Sequence, residues 1–304
     1  MTSAGGRDLR GVVAPIPTPF DPVTGDVAPV ALRQAARALL DAGLAGIAVA
    51  GSTGEGELLD DGERARLVGW LRDVVPEDRW LIAGAGAEST RGAIALARDV
   101  AAAGADATLV RPPAYYSDTL PPTAIADHYA RLADASPVPV IVYNIPKYTH
   151  VMLHDSVLRA VADHPNVIGF KDSSGDLKVL AGYRAAAPRL ASLVGAGHLL
   201  YPALELGASG AVLAVSCFAA ALCVQCYDAF RAGDRETAGA LQERLAPLSR
   251  DVVSALGPAG IKAAMVQVGL PCGPVRSPLV RLDARGEARV AGALAAAGLR
   301  AAAA

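Results

Sequence analysis

The chain has 304 residues, 52% of them hydrophobic, and a formal net charge of −2. That length suits either two ordinary domains or one large α/β barrel, while scattered arginines and only 5% aromatics exclude a basic stripe or a base-stacking surface for nucleic acid. The longest apolar run, about 211–224, contains Ser216 and is shorter than the roughly 18 residues of a membrane span, so no membrane partner is expected. In chain order, residues 1–10 are small, polar and glycine-containing, without the apolar core of an export signal. They are expected to form a flexible leader on a cytoplasmic protein.

From residue 11 onward, short β-branched or apolar runs alternate with alanine-rich helical patterns. The strand candidates are 12–15, 46–49, 80–84, 107–110, 140–143, 167–170, 192–195 and 211–214. Between them, apolar residues recur at three and four over 31–42, 62–75, 90–103, 123–135 and 177–187, which predicts amphipathic helices. Asp60 and Ser89 are placed as N-caps, Gly43 and Gly104 as C-caps. Eight strands with crossover helices predict a closed (β/α)8 barrel, an α/β TIM-barrel fold, over 11–232. A doubly wound dinucleotide-binding sheet would put a glycine fingerprint after the first strand, where Pro15-Ile16-Pro17-Thr18-Pro19-Phe20 stands instead. After Phe230 the strand pattern stops, and helical stretches at 236–256, 260–269 and 283–304 predict a C-terminal helical extension over 233–304.

Cys217, Cys223, Cys226 and Cys272 are few for this length, which predicts reduced thiols. Cys223 and Cys226 have C-x-x-C spacing but no second pair or nearby histidine to complete a zinc set, so helix-core thiols are expected. His150 and His198 fall near strand ends, with ordinary polar roles expected; no histidine spacing matches a metal motif, and no cofactor is expected.

The unusual residues fall just after the predicted strands, where a barrel carries its catalytic loops. Lys171 follows the sixth strand; an amine there serves either as a nucleophile toward a carbonyl or as an ion-pair partner of Asp172 or Asp176. Gly51-Ser52-Thr53-Gly54 follows the second and suits a carboxylate, through backbone N–H groups and two hydroxyls, although a plain strand-to-helix turn would have the same composition. Tyr143 ends the fifth strand, where it either moves a proton at substrate oxygen or rests as a buried tyrosine on a carbonyl. Tyr115 and Tyr116, after two prolines, form a rigid loop that presents an aromatic ring to substrate or to another subunit. Glu55, Asp172 and Asp176 are expected as helix-start carboxylates.

Together these motifs, from Gly11 to about Leu279, resemble the dihydrodipicolinate synthase and N-acetylneuraminate lyase superfamily of class I pyruvate-dependent aldolases. The resemblance rests on G-S-T-G-E, the Tyr115-Tyr116 pair, Y-N-I-P, G-F-K-D, Leu206-Gly207-Ala208-Ser209-Gly210, and the late Lys262, Gly269, Arg276 and Pro278. It implies Lys171 as the Schiff-base lysine and Tyr143 as the proton donor and acceptor. It also implies Ser52 and Thr53 as carboxylate ligands in a hydroxyl relay, with Gly51 beside them. Tyr116 would reach that relay from a neighbouring subunit, and the backbone near Val212 would line the pyruvyl pocket. A homodimer or homotetramer is implied.

One departure bears on the substrate. Dihydrodipicolinate synthases generally carry an arginine two residues after the Y-N-x-P proline, where it holds the aldehyde's carboxylate. Here Tyr148 stands at that position, and in an extended segment the adjacent Lys147 would point away. Tyr148, Ser173 and Ser174 are then expected to meet a neutral or hydroxylated distal half. The expected activity is metal-free cleavage or formation of a 4-hydroxy-2-oxo acid of sugar-acid type, from or to pyruvate and an aldehyde. The alternatives are 4-hydroxy-tetrahydrodipicolinate synthase, an oxo-acid dehydratase of the same superfamily, and a non-catalytic barrel that binds an oxo acid.

Overall fold

The computed structural model describes residues 7–299. Eight parallel strands close into a barrel in the order β1 to β8: β1 (Gly11–Pro15), β2 (Gly46–Val49), β3 (Trp80–Gly84), β4 (Ala107–Val110), β5 (Val140–Asn144), β6 (Val167–Asp172), β7 (Ala191–Val194) and β8 (Gly210–Val212). The crossover helices are α1 (Pro29–Asp41), α2 (Asp61–Arg72), α3 (Thr90–Ala102), α4 (Pro122–Ala135), the single turn α5 (Pro146–Thr149), α6 (Asp155–Val161), α7 (Leu177–Ala186), α8 (Leu200–Glu205) and α9 (Ala220–Arg231). Asp60 and Ser89 cap α2 and α3, and the Asp60 cap is a full capping box with Glu63. Gly43 and Gly104 take the left-handed conformation at φ 94° and 106°, as the C-terminal ends of α1 and α3 require.

Side-chain alternation divides the strands into two cores. Val12, Ala14, Ile47, Val49, Val140, Val142 and Phe170 face the helices, whereas Val13, Ala48, Ile82, Leu109, Ile141, Tyr143, Ile168, Leu193 and Val212 fill the barrel interior. β6 breaks this alternation, because Ile168 faces in and Phe170 faces out, two residues along. The cause is an extra residue in β6: Val140 pairs with Val167, yet Ile141 pairs with Gly169. This bulge shifts the parity of everything after it, so that Lys171 lies beside the interior Tyr143 and Asp172 beside Asn144.

Of the expected leader over 1–10, residues 1–6 lie outside the described part, while Arg7 to Leu9 are anchored across the N-terminal mouth of the barrel. Leu9 is buried, Arg7 pairs with Asp106 at 2.8 Å, and its guanidinium stacks 4.5 Å from the Trp80 ring.

Beyond the barrel lie α10 (Arg235–Pro247), a π-helical segment (Leu248–Ser254), α11 (Ala255–Gln267) and α12 (Ala284–Ala296). A kink at Gly257, φ 60°, followed by Pro258, interrupts α11 near its start. The apolar run near 211–224 is β8 passing through a 3-10 turn into α9, in which Cys223 and Cys226 are buried free thiols. No helix among the described residues is long and apolar enough to cross a membrane.

Candidate active site

A cavity of about 210 Å³ opens at the C-terminal ends of the strands, and its lining includes Ser52, Thr53, Tyr143, Tyr148, Lys171, Ser173 and Val212. With Ser174, which also lines it, eight of the ten residues given a catalytic or substrate-contacting role from the sequence share this pocket. Gly51 is not among its lining residues; its carbonyl accepts the Gly56 N–H at 3.0 Å and closes the turn that carries Ser52 and Thr53. Tyr116 also lies outside, two-thirds exposed on the surface, its ring edge-to-face with Tyr115 at 4.9 Å.

Lys171 and Tyr143 are register partners across β6 and β5, with the Lys171 Nζ 4.3 Å from the centre of the Tyr143 ring. Both are nearly fully buried. Space for the lysine is made by Gly195, just past β7: a Cβ there would overlap Ser173 Oγ and come within 3.0 Å of Lys171 Cε. The partners suggested by sequence proximity are engaged elsewhere. Asp172, whose carboxyl burial draws up, accepts from Asn144 Nδ2 at 2.7 Å and from Ser174 Oγ at 2.8 Å. Asp176 caps α7 through the Lys178 N–H. Of the three expected helix-start carboxylates, only Asp176 has that role.

The turn after β2 is held from below by a residue that sequence reasoning missed. Buried Arg64, on α2, donates to the carbonyls of Ala50 at 3.1 Å, Gly84 at 2.9 Å and Gly56 at 2.6 Å. Ala50 and Glu55 flank the turn at φ 55° and 57°, a left-handed conformation costing about 1–2 kcal/mol each that the surrounding bonds sustain. Thr18 Oγ1 adds a bond of 2.6 Å to the Gly54 carbonyl. Glu55 departs from its expected role: one carboxylate oxygen pairs with Lys262 Nζ at 2.5 Å, and the other accepts the Arg276 N–H at 2.8 Å. Arg276 grips Glu63 through two bonds of 2.6 and 2.7 Å, which holds the Glu63 carboxyl below its usual range. Phe20 receives both cations on its ring, Lys262 at 4.5 Å and Arg276 at 4.1 Å.

The far wall comes from the C-terminal extension, whose apolar periodicity gave no sign of it. Ser249, Val253 and Ser254 of the π-helical segment, with Pro258 and Ile261 of α11, face the strand ends across the cavity. His198 joins this wall, 3.4 Å from Ser249 Oγ, and burial together with the nearby Arg250 charge holds its pKa below the usual value. Lys147 also lines the cavity, contrary to the expectation that it points away. The reason is local: the chain after Ile145 makes the turn α5 instead of an extended segment, so Lys147 and Tyr148 both reach the pocket.

Comparison with known proteins agrees with this geometry. The family model described as the dihydrodipicolinate synthetase family matches residues 8–297. An uncharacterised DapA-like lyase of Halobacterium salinarum is 40% identical over 275 residues, 90% of each chain. A 4-hydroxy-tetrahydrodipicolinate synthase of Methanopyrus kandleri is 33% identical over 276 residues, 90% of this chain and 91% of the relative. Among solved structures, the dihydrodipicolinate synthase of Cyanidioschyzon merolae with lysine bound superposes with a TM-score of 0.90 at 31% identity, covering 96% and 99% of the two chains. The chloride-inhibited enzyme of Acinetobacter baumannii, complexed with pyruvate, gives 0.90 at 28% identity with the same coverage.

Proposed function

The chain belongs to the dihydrodipicolinate synthetase family, whose members are lyases of the class I aldolase type, and on that premise we propose that it cleaves or forms a 4-hydroxy-2-oxo acid of sugar-acid type through a Schiff base on Lys171. The observation that carries this reading is the buried Lys171–Tyr143 pair in the cavity shared with Ser52 and Thr53. Pyruvate bound in the Acinetobacter baumannii relative supports pyruvate as one reactant.

In the cleavage direction, the Lys171 amine adds to the 2-oxo carbon and water leaves, giving a protonated imine. The C3–C4 bond then breaks, its electron pair moving toward the iminium nitrogen, while Tyr143 accepts the C4 hydroxyl proton and an aldehyde departs. The resulting enamine takes a proton at C3. Water adds to the imine carbon, releasing pyruvate and the free amine. Ser52 and Thr53 bind the carboxylate. Tyr116 completes the hydroxyl relay from a second subunit of a homodimer or homotetramer, a role that fits its exposure on the single chain.

Tyr148, where the synthases generally have arginine, favours a sugar-acid partner over aspartate semialdehyde; the 33% identity to a synthase keeps synthesis with that semialdehyde as the second reading. Borohydride reduction in the presence of pyruvate tests the Schiff base: a pyruvyl-sized mass on Lys171 is expected, and its absence refutes the mechanism. A panel of aldehydes then separates the readings, because robust turnover with aspartate semialdehyde would overturn the sugar-acid reading.

A further inference from the structure

The mechanism leaves one proton without a carrier. Tyr143 takes the C4 hydroxyl proton as the C3–C4 bond breaks, but C3 of the enamine must still be protonated, and in condensation C3 of pyruvate must first lose a proton. Among the described residues that line the cavity there is no Asp or Glu to serve. The serines and Thr53 are too weakly acidic and basic at neutral pH, and so is Tyr148, whose hydroxyl burial makes harder to ionise. Lys147 is bound as a donor to the Ser254 carbonyl at 2.8 Å. His198 remains, and an imidazole is the side chain best matched to proton transfer near pH 7.

Its position follows from the strand order. β6 lies between β5 and β7, so Lys171 has Tyr143 as its register partner on one side and Leu193 on the other. The chain leaves β7 through Gly195, whose N–H donates to the Asp172 carbonyl at 2.7 Å and whose missing Cβ leaves room for Lys171 Cε. Three residues on, His198 enters the cavity from the β7 side, whereas Tyr143 enters from β5. The loop is braced from behind: Gln242 Nε2 on α10 donates to the Gly197 carbonyl at 3.1 Å, and Ser249 Oγ faces His198 Nδ1 at 3.4 Å. Nε2 makes no hydrogen bond among the described residues. Burial first, and the Arg250 charge on the π-helical segment second, hold the imidazole below its usual pKa, so the neutral base is its form at pH 7. Other charges on the packed elements are engaged elsewhere, Asp251 with Arg289 and Glu205 of α8 with Arg235, while the cavity itself adds only the cations Lys171 and Lys147.

We propose that His198 is the acid–base catalyst at C3, a second proton carrier working beside Tyr143. The inference rests on the Schiff-base reading. In condensation, Nε2 takes a methyl proton from C3 of the protonated pyruvyl imine; the C–H electron pair becomes the C2=C3 bond, and the C=N pair moves onto nitrogen. The enamine then attacks the aldehyde carbon while Tyr143 delivers a proton to the new alkoxide. In cleavage the order reverses, and the imidazolium returns its proton to C3. His198 is half-buried, so it exchanges that proton with solvent between turnovers.

The test follows the pyruvate methyl signal by proton NMR in D2O with no aldehyde present, which isolates the step at C3. Wild-type protein is expected to exchange the methyl protons, at a rate that falls as pH drops through the His198 pKa. His198→Gln should slow exchange by about 10²-fold or more while borohydride still traps pyruvate on Lys171. Imidazole added to His198→Ala should restore part of the rate. Tyr143→Phe should keep exchange within about tenfold of the wild type, because the step at C3 does not pass through the phenol. Full exchange in His198→Gln, or its loss in Tyr143→Phe, would assign both protons to the phenol and overturn the proposal. An equal loss of trapping and exchange in His198→Gln would overturn it too, as the mark of a purely structural part of the wall. A wild-type adduct that is trapped without methyl exchange refutes the role of His198 alone, whereas absence of the adduct refutes the Schiff-base reading and this inference with it.

Discussion

Tyr143 and Lys171 sit opposite one another in the β5–β6 ladder, the centre of the phenol ring and the Lys171 Nζ 4.3 Å apart in the barrel interior. Their proximity comes from backbone pairing, not from flexible reach, so the acid–base group and the nucleophile are oriented before substrate arrives. Replacing Tyr143 with phenylalanine keeps that packing and removes only the hydroxyl. We expect kcat to fall by about 10²–10⁴-fold, the usual contribution of a positioned proton carrier. The pyruvyl adduct should still form on Lys171, as intact-mass measurement after borohydride treatment would show; loss of both activities would point to a wider role for the phenol.

Gly195 provides the space that Lys171 and Ser173 occupy. Gly195→Ala should reduce pyruvate trapping by about 10²-fold or more, since misplacing a reacting atom by an ångström has that effect. Circular dichroism should remain that of the wild type. Undiminished trapping would show that the loop after β7 yields more easily than its contacts suggest.

The Glu55–Lys262 pair is buried and joins the turn after β2 to α11. Lys262→Met leaves the Glu55 carboxylate without its counter-charge and should destabilise the fold by about 3–5 kcal/mol in urea titration. The double variant Glu55→Gln/Lys262→Met removes both charges and should recover more than half of that loss. A single variant as stable as the wild type would mean that the Arg276 N–H alone satisfies Glu55.

His128, buried on α4, has its pKa lowered to about 4, by desolvation first and by the Arg111 charge second. Its neutral ring shares a 2.9 Å hydrogen bond with Thr90. Above pH 6.5 neither the folded nor the unfolded state carries the proton, and stability is unaffected. Between 6.5 and about 4 the unfolded chain takes up a proton that the fold refuses, so stability falls as pH falls, by about 3 kcal/mol at 1.36 kcal/mol per pH unit. Urea titrations from pH 8 to pH 4 should show this slope, and His128→Gln should flatten it. An equal slope in the variant would assign the acid sensitivity to carboxylates such as Glu63.

The barrel was legible in the sequence because each strand candidate combined β-branched composition with turn residues at its ends. The predictions for β2, β3 and β4 agree with the structure to the residue. The pocket's strand-borne residues were legible for the same reason: strand ends in a barrel converge, so position along the chain translates into position in space. Lys147 was misplaced because a single helical turn of four residues leaves no periodicity to detect, and extended geometry was assumed after the proline. Arg64 and the 249–261 wall were missed for a different reason. Their roles arise from long-range packing, in which an arginine on an amphipathic helix or a serine in a π-helical stretch looks like any exposed residue. The one local signal for that wall was Gly257-Pro258, which breaks the helix where its carbonyls turn toward the cavity.

The extra residue in β6 makes the chemistry depend on counting. Strand residues otherwise alternate between barrel and helix layer, so the bulge decides which of two neighbours enters the pocket. Paired without it, the same residues would set Lys171 opposite Asn144, among the helices, and turn Asp172 toward the interior, reversing the sign of the reacting centre with no change in composition. Register has no intermediate state, so substitutions along β6 are tolerated only while the bulge between Val167 and Gly169 persists.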